Sequence, residues 1–156
     1  MDCVFESLDL ALGDLTAGRV DSRRVFHGRG RCFSGLEFLA IDLYYPVMSI
    51  VFFDEVPKDW EREFVSRLSA LIVDTPLEGA LLQRRYLTGA PAEVVYGVIP
   101  EEMFARRGNQ RFYLKLGQRQ NSGFFLDMEP GRKWLEERCE GKRVLNLFSY
   151  TCAFSV

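Results

Sequence analysis

The sequence contains a single histidine, His27, in 156 residues. Its four cysteines, Cys3, Cys32, Cys139 and Cys152, lie far apart and form no CxxC pair. A structural zinc needs several thiolate or imidazole ligands at short spacing, so no metal site is expected. Unpatterned thiols behind a start that is no export signal suit a reducing cytoplasm. The opening MDCVFESLDLALGDL interleaves acids with apolar residues and has neither the basic flank nor the apolar centre of a signal peptide. Long apolar runs are also missing, and none approaches the ~20 residues that a membrane span requires. Nor does one charge dominate: 20 Lys and Arg stand against 22 Asp and Glu, a formal net charge of -2, so overall charge does not announce a nucleic-acid binder. There is no internal repeat and no low-complexity tract.

What remains is the composition of a globular protein with a real core, 47% hydrophobic and 27% charged. The length suits one ordinary domain, or a small domain plus part of a second. Val4, Leu8, Ala11 and Leu15 recur at helical intervals and predict a helix over residues 2–17, with Gly18 as its stop. Two apolar runs of strand length, LEFLAIDLYY and VMSIVFF, flank Pro46 and read as neighbouring strands. Trp60, Phe64, Leu68 and Leu71 mark a second helix, and ALLQRRY and EVVYGVI two further strands. Residues 1–107 are thus expected to be a small mixed α/β unit, with the polar PEEMFARRGNQ as the boundary and a second unit over 108–156.

In the second unit, RFYLKLG alternates with strand periodicity, setting Phe112, Leu114 and Leu116 on one face. Pro130 is acceptable in a first helical turn, Gly131, Leu135 and Cys139 share a face, and Gly141 ends that helix. VLNLF then reads as a strand buried on both faces, and SYTCAFSV as a turn of small and hydroxyl residues leading toward another helix. A strand, a tight turn and a helix make the entrance of a doubly wound α/β domain, where small side chains let a ligand approach free backbone amides. The pattern alone is equally that of any buried α/β strand and its turn. A dinucleotide site is disfavoured, because the turn lacks the glycines of GxGxxG.

The combination GQRQNSGFFLD, then an arginine-bearing helix, then KRVLNLFSYT resembles the S-adenosylmethionine-dependent methyltransferases that modify bases of bacterial 23S ribosomal RNA. In that family a "tGfflD" segment leads into a helix and into a first strand that ends in an "FsYTGg" turn. The resemblance is close over residues 111–156 and looser over LEFLAIDLYYPVMSIVFF, which is similar to the accessory unit ahead of the catalytic domain. It implies a Rossmann-like fold with S-adenosylmethionine as cofactor. Phe124, Phe125 and Asp127 would line the pocket, Arg132 would lie near its charged end, and Phe148, Ser149, Tyr150, Thr151, Cys152 and Ala153 would wrap it. Asp127 suits the methionine ammonium and Arg132 the carboxylate. The competing reading makes Phe124 and Phe125 core residues, Asp127 a helix cap and Arg132 a solvated side chain. Cys152 departs from the family's glycine, and its Cβ restricts positive φ. Later strands that would supply a ribose-binding acid and an Asp-Pro-Pro motif are not in the sequence, so the chain is expected to be the front part of a larger enzyme, inactive alone, with its catalytic residues unknown. The implied reaction is methylation of a guanine nitrogen or of cytosine carbon 5. A Cys152 nucleophile for the latter is disfavoured by its place in the cofactor turn.

Residues 19–31, RVDSRRVFHGRGR, carry five arginines against one acid and read as a basic loop. Arg23, Arg24, His27, Arg29 and Arg31 are its candidate RNA contacts, able to hold phosphates beside Phe26. Arg84, Arg85, Arg106 and Arg107 are weaker candidates. A non-catalytic RNA-binding module using this loop is the alternative function, and a solvated loop of no special purpose the plain one.

Overall fold

The computed structural model describes every residue except Arg31, residues 119–121, Phe148 and Val156. The expected first helix is α1 (Asp2–Thr16), with Val4, Phe5, Leu8, Leu12 and Leu15 buried along one stripe. Strands β1 (Arg23–His27), β2 (Leu39–Tyr44), β3 (Val47–Phe52), β4 (Gly79–Arg84) and β5 (Ala92–Gly97) form one sheet in chain order. Helix α2 (Lys58–Ile72) crosses between β3 and β4, which are therefore parallel, while every other neighbouring pair is antiparallel. The class is mixed α/β, as the sequence implied.

The two faces of this sheet are covered differently. On one, Ile41, Leu43, Met48, Ile50, Phe52, Ala80 and Leu82 meet the apolar stripes of α1 and α2, including Phe64, Leu68 and Ile72. Period-2 alternation puts the intervening residues on the second face. There Tyr44 and Val47 pack against a hairpin of β6 (Met103–Arg107) and β7 (Gln110–Leu114) through Met103, Ala105, Phe112 and Leu114. Phe124 and Leu126 complete this smaller core, which is why β2 and β3 are buried along their whole length.

Two expectations need correction. Residues 23–27 of the supposed basic loop are a strand, because β1 can place arginines on a sheet edge and neutralise Arg24 with Asp42 of β2. Met103–Arg107 of PEEMFARRGNQ is paired with Gln110–Leu114, so the expected division after Arg107 falls in the turn of a hairpin. Residues 144–147 of VLNLF form no strand. A fully apolar strand takes its stability from partners on its edges and faces, and among the described residues no strand pairs with 144–147, where Leu145 and Leu147 are 80% and 84% exposed. Beyond the hairpin, the chain makes one turn of 3-10 helix (Leu126–Met128) and then α3 (Glu129–Cys139).

Candidate functional site

The segment Gly123 to Asp127 is fixed from the hairpin side. Lys115 N donates to Ser122 O at 2.8 Å, and a Cβ at Gly123, whose φ is 113°, would meet Tyr113 O at 2.7 Å. Only glycine lets the chain pass there. Phe124 then turns inward against Phe112, with ring centroids 4.7 Å apart, and its carbonyl accepts a long 3.5 Å bond from the Tyr44 hydroxyl. Phe125 turns outward, 5.1 Å from the Tyr150 ring.

Between this segment, α3 and the turn after residue 147 lies a cavity of about 430 Å³, lined by Phe125, Met128, Arg132, Asn146, Ser149, Tyr150, Thr151, Ala153 and Phe154. Its walls are mainly aromatic and apolar, with hydroxyl, amide and guanidinium groups at intervals, the usual make-up of a small-molecule pocket. The turn closes on itself through Cys152 N to Ser149 O at 2.6 Å and Ser155 N to Cys152 O at 2.7 Å. Tyr150 and Cys152 hold positive φ values of 45° and 62°, so the departure from glycine falls at a position with left-handed backbone.

Arg132 is the one buried residue of α3 and is only 3% exposed. Its Nε donates to Glu129 Oε2 at 3.1 Å and its Nη2 to Phe125 O at 2.9 Å, with the guanidinium 4.4 Å from the centre of the Phe124 ring. Arg107 of β6 donates to the same Glu129 oxygen at 2.9 Å and to Glu136 at 2.6 and 2.9 Å, tying the hairpin to the helix. Burial would raise the Glu129 carboxyl, but the bonds from Arg107 and Arg132 outweigh it and hold it below the usual carboxylate range.

Several expected site residues therefore come together: Phe125, Arg132, Ser149, Tyr150, Thr151 and Ala153 line one cavity. Phe124 is core behind it, Cys152 shapes the turn without lining the cavity, and Phe148 lies outside the described residues. Asp127 does not line it. It is exposed on the 3-10 turn, makes no side-chain cap bond, and places its charge in the field of Arg24 and His27. Arg132 is committed to Glu129 and the Phe125 carbonyl rather than solvated. Met128, Asn146 and Phe154 were missed, because nothing in their local sequence sets them apart.

Among the candidate RNA contacts, Arg23 spends its guanidinium on the carbonyls of Ala11, Arg19 and Asp21. Arg24 pairs with Asp42 at 2.8 Å and stands 3.4 Å from His27 Nδ1. Burial, then the Arg24 and Arg29 charges, holds the His27 imidazolium below its ordinary range. Arg29 lies over Phe53, and Arg31 is outside the described residues.

The family model for S-adenosylmethionine-dependent methyltransferases matches residues 23–156. The chain belongs to this family. It is 32% identical over 152 residues to a "Ribosomal RNA large subunit methyltransferase" of Deinococcus radiodurans, an alignment that takes in 92% of this chain and 36% of that protein. It is 30% identical over 103 residues to "Ribosomal RNA large subunit methyltransferase K" of Neisseria meningitidis, across 64% of this chain and 29% of the relative. The chain thus spans about a third of the length of these methyltransferases. A candidate S-adenosylmethionine-dependent methyltransferase from Streptococcus mutans superposes with a TM-score of 0.73 at 25% identity, covering 96% of this chain and 38% of that one. A further methyltransferase structure, solved in complex with SAH, gives a TM-score of 0.75 at 24% identity, over 97% of this chain and 39% of its own. The mixed α/β fold is that of methyltransferase structures.

Among the described residues, no helix is long and apolar enough to cross a membrane, and no three metal-ligating side chains are gathered together.

Proposed function

We propose that this chain contributes to S-adenosylmethionine-dependent methylation of a base in large-subunit ribosomal RNA. The carrying observation is the cavity between Phe125 and the Tyr150–Ala153 turn, which lies within the stretch matched by the family model. Its chemistry fits the adenosyl portion of the cofactor: aromatic rings for the purine, and the Ser149 and Thr151 hydroxyls for polar edges. The fit is different at the methionine end, since Asp127 stands outside and Arg132 already holds Glu129. We assign Arg132 to shaping the cavity wall, and Asp127 to the neighbouring basic face.

Phe125, Ser149, Tyr150 and Thr151 would hold S-adenosylmethionine, which when bound would supply an electrophilic sulfonium methyl group. The chain's own residues hold and desolvate the reactants. Tyr150 and Phe125 present flat apolar surface, and the hairpin anchors both through Phe112 and Phe124. A guanine nitrogen is favoured over cytosine carbon 5 because LNLFSYT resembles the guanine-modifying members of the family. RNA contact is assigned to His27 and Arg29, whereas Arg23 is spent on local carbonyls and Arg24 on Asp42.

Calorimetric titration of S-adenosylmethionine into the full-length protein tests the reading. Micromolar binding that weakens at least tenfold in Phe125→Ala and is unchanged in Asp127→Asn supports it. No binding, or binding lost in Asp127→Asn and untouched by Phe125→Ala, overturns the assignment of this cavity.

A further inference from the structure

The sheet gathers a second group of side chains that the cofactor cavity does not use. Strands β1, β3 and β4 run in the same direction, so their carboxyl ends share one edge of the sheet. Just beyond those ends stand Arg29, Phe53 and Arg85. Register brings the last two together: Phe52 is opposite Arg84, and Arg85 N donates to Phe52 O at 2.8 Å. The Arg29 guanidinium lies 4.4 Å and that of Arg85 5.6 Å from the centre of the Phe53 ring.

The arginines of this group differ from their neighbours in having no carboxylate within salt-bridge distance among the described residues. Arg24 has Asp42, Arg84 has Glu61 and Glu93, and Arg107 has Glu129 and Glu136. Among the described residues neither Arg29 nor Arg85 makes a salt bridge, and the Arg85 Nε donates to the neutral Gln83 Oε1 at 3.1 Å. The nearest acid in sequence, Asp54, accepts the Glu55 amide at 2.8 Å. Arg85 is half-buried, and burial, aided by the Arg24 and Arg29 charges, outweighs the opposing pull of Asp42 and Tyr44 and disfavours its charged form. Two guanidiniums laid over one ring keep their in-plane N–H groups for an anion with paired oxygens.

We propose that Arg29, Phe53 and Arg85 form a site for a phosphodiester of single-stranded RNA, a proposal that rests on the RNA-directed reading above. Phe53 and Arg85 lie on the sheet face whose other end, at Tyr44 and Val47, carries the hairpin and Phe124. Strand β3 has six residues, about 20 Å of chain. The base to be methylated must reach the cofactor cavity beyond Phe124, so a substrate that is also held at this edge spans that distance as a polymer, which is the argument for a nucleic-acid strand over a free anion.

The test is fluorescence anisotropy of the protein with a labelled twelve-nucleotide single-stranded RNA over a range of salt, for Arg29→Gln, Arg85→Gln, Arg85→Lys and Arg62→Gln. Arg62 sits on the helix-covered side in an exposed pair with Asp59 and serves as the control. Arg29→Gln and Arg85→Gln are expected to weaken binding about tenfold each and to reduce the salt slope by about one phosphate contact. Arg85→Lys should recover part of the loss, and Arg62→Gln should change nothing. Equal weakening by Arg62→Gln, an unchanged Arg85→Gln with a native melting curve, or inorganic phosphate binding as tightly as the RNA would each overturn the site. S-adenosylmethionine titration of the same variants separates the two readings: absent cofactor binding with selective RNA loss removes the methyltransferase reading and leaves this site standing.

Discussion

Arg132→Met is the substitution that most directly tests how the cofactor cavity is built. It nearly conserves volume but removes a charge-assisted bond to Glu129, the donor to the Phe125 carbonyl, and a cation over the Phe124 ring. Charge-assisted bonds contribute about 1.5–3 kcal/mol, though the one-third exposure of Glu129 places this one at the low end. The unsatisfied Phe125 carbonyl and the lost ring contact each add about 1 kcal/mol. Methionine's apolar burial returns part of this, so a net destabilisation of about 3 kcal/mol is expected. At a urea dependence of about 2 kcal/mol per molar, the midpoint should fall by about 1.5 M. Trp60, half-buried against the core of α1, α2 and the sheet, and Trp134, on α3, report the transition by fluorescence. A midpoint shift below about 0.3 M, with cofactor affinity reduced more than tenfold, would refute the reasoning. Arg132 would then be a ligand to the methionine carboxylate and not a member of the scaffold.

Three further outcomes are expected. Cys152→Gly, at a φ of 62°, should relieve about 1 kcal/mol of left-handed strain and raise the melting temperature by about 3 °C, checked by calorimetry. Leu68→Ala, at 0% exposure between α2 and the sheet, should cost about 3 kcal/mol in chemical denaturation without moving Phe125. The third concerns pH. Glu129 has a folded value below its ordinary one, so its contribution is complete above the unfolded value near 4.3 and is lost as pH falls through the folded value, and Glu129→Gln should flatten that acid limb. His27 works in the same direction at higher pH: with its folded value below 6.5, the unfolded chain binds the proton first and stability declines as pH falls beneath that point. Being the only histidine, it can be titrated alone by NMR.

The elements legible in the sequence were those whose pattern is local. The stripes of α1 and α2 and the apolar runs of β2 and β3 depend on nothing outside themselves. Strands β1 and β6 were hidden because Arg23, Arg24, Arg106 and Arg107 break the apolar alternation. Their charges are accommodated by partners distant in sequence, such as Asp42 and Glu129. Residues 144–147 fail in the opposite sense, having the composition of a strand while no strand among the described residues pairs with them. Of the candidate site, the aromatic segment and the hydroxyl turn were legible from their resemblance to a family. The burial of Arg132 was not, since a lone arginine on a polar helix gives no sign of a carbonyl seven residues earlier. Phe53 escaped notice, and Arg85 stood only as a weaker candidate, because strand register and not spacing unites them.

The hairpin at Met103–Leu114 sets where this polypeptide can be divided. A cut after Arg107 severs its two strands and strips the cover from Tyr44 and Val47, leaving the five-stranded sheet with a bare greasy end. A cut near residue 99 leaves the hairpin whole but parts it from the sheet it covers. Grafting the sheet onto a different catalytic partner, or exchanging it between relatives, would therefore succeed only if the hairpin and Phe124 travelled with it as one indivisible joint.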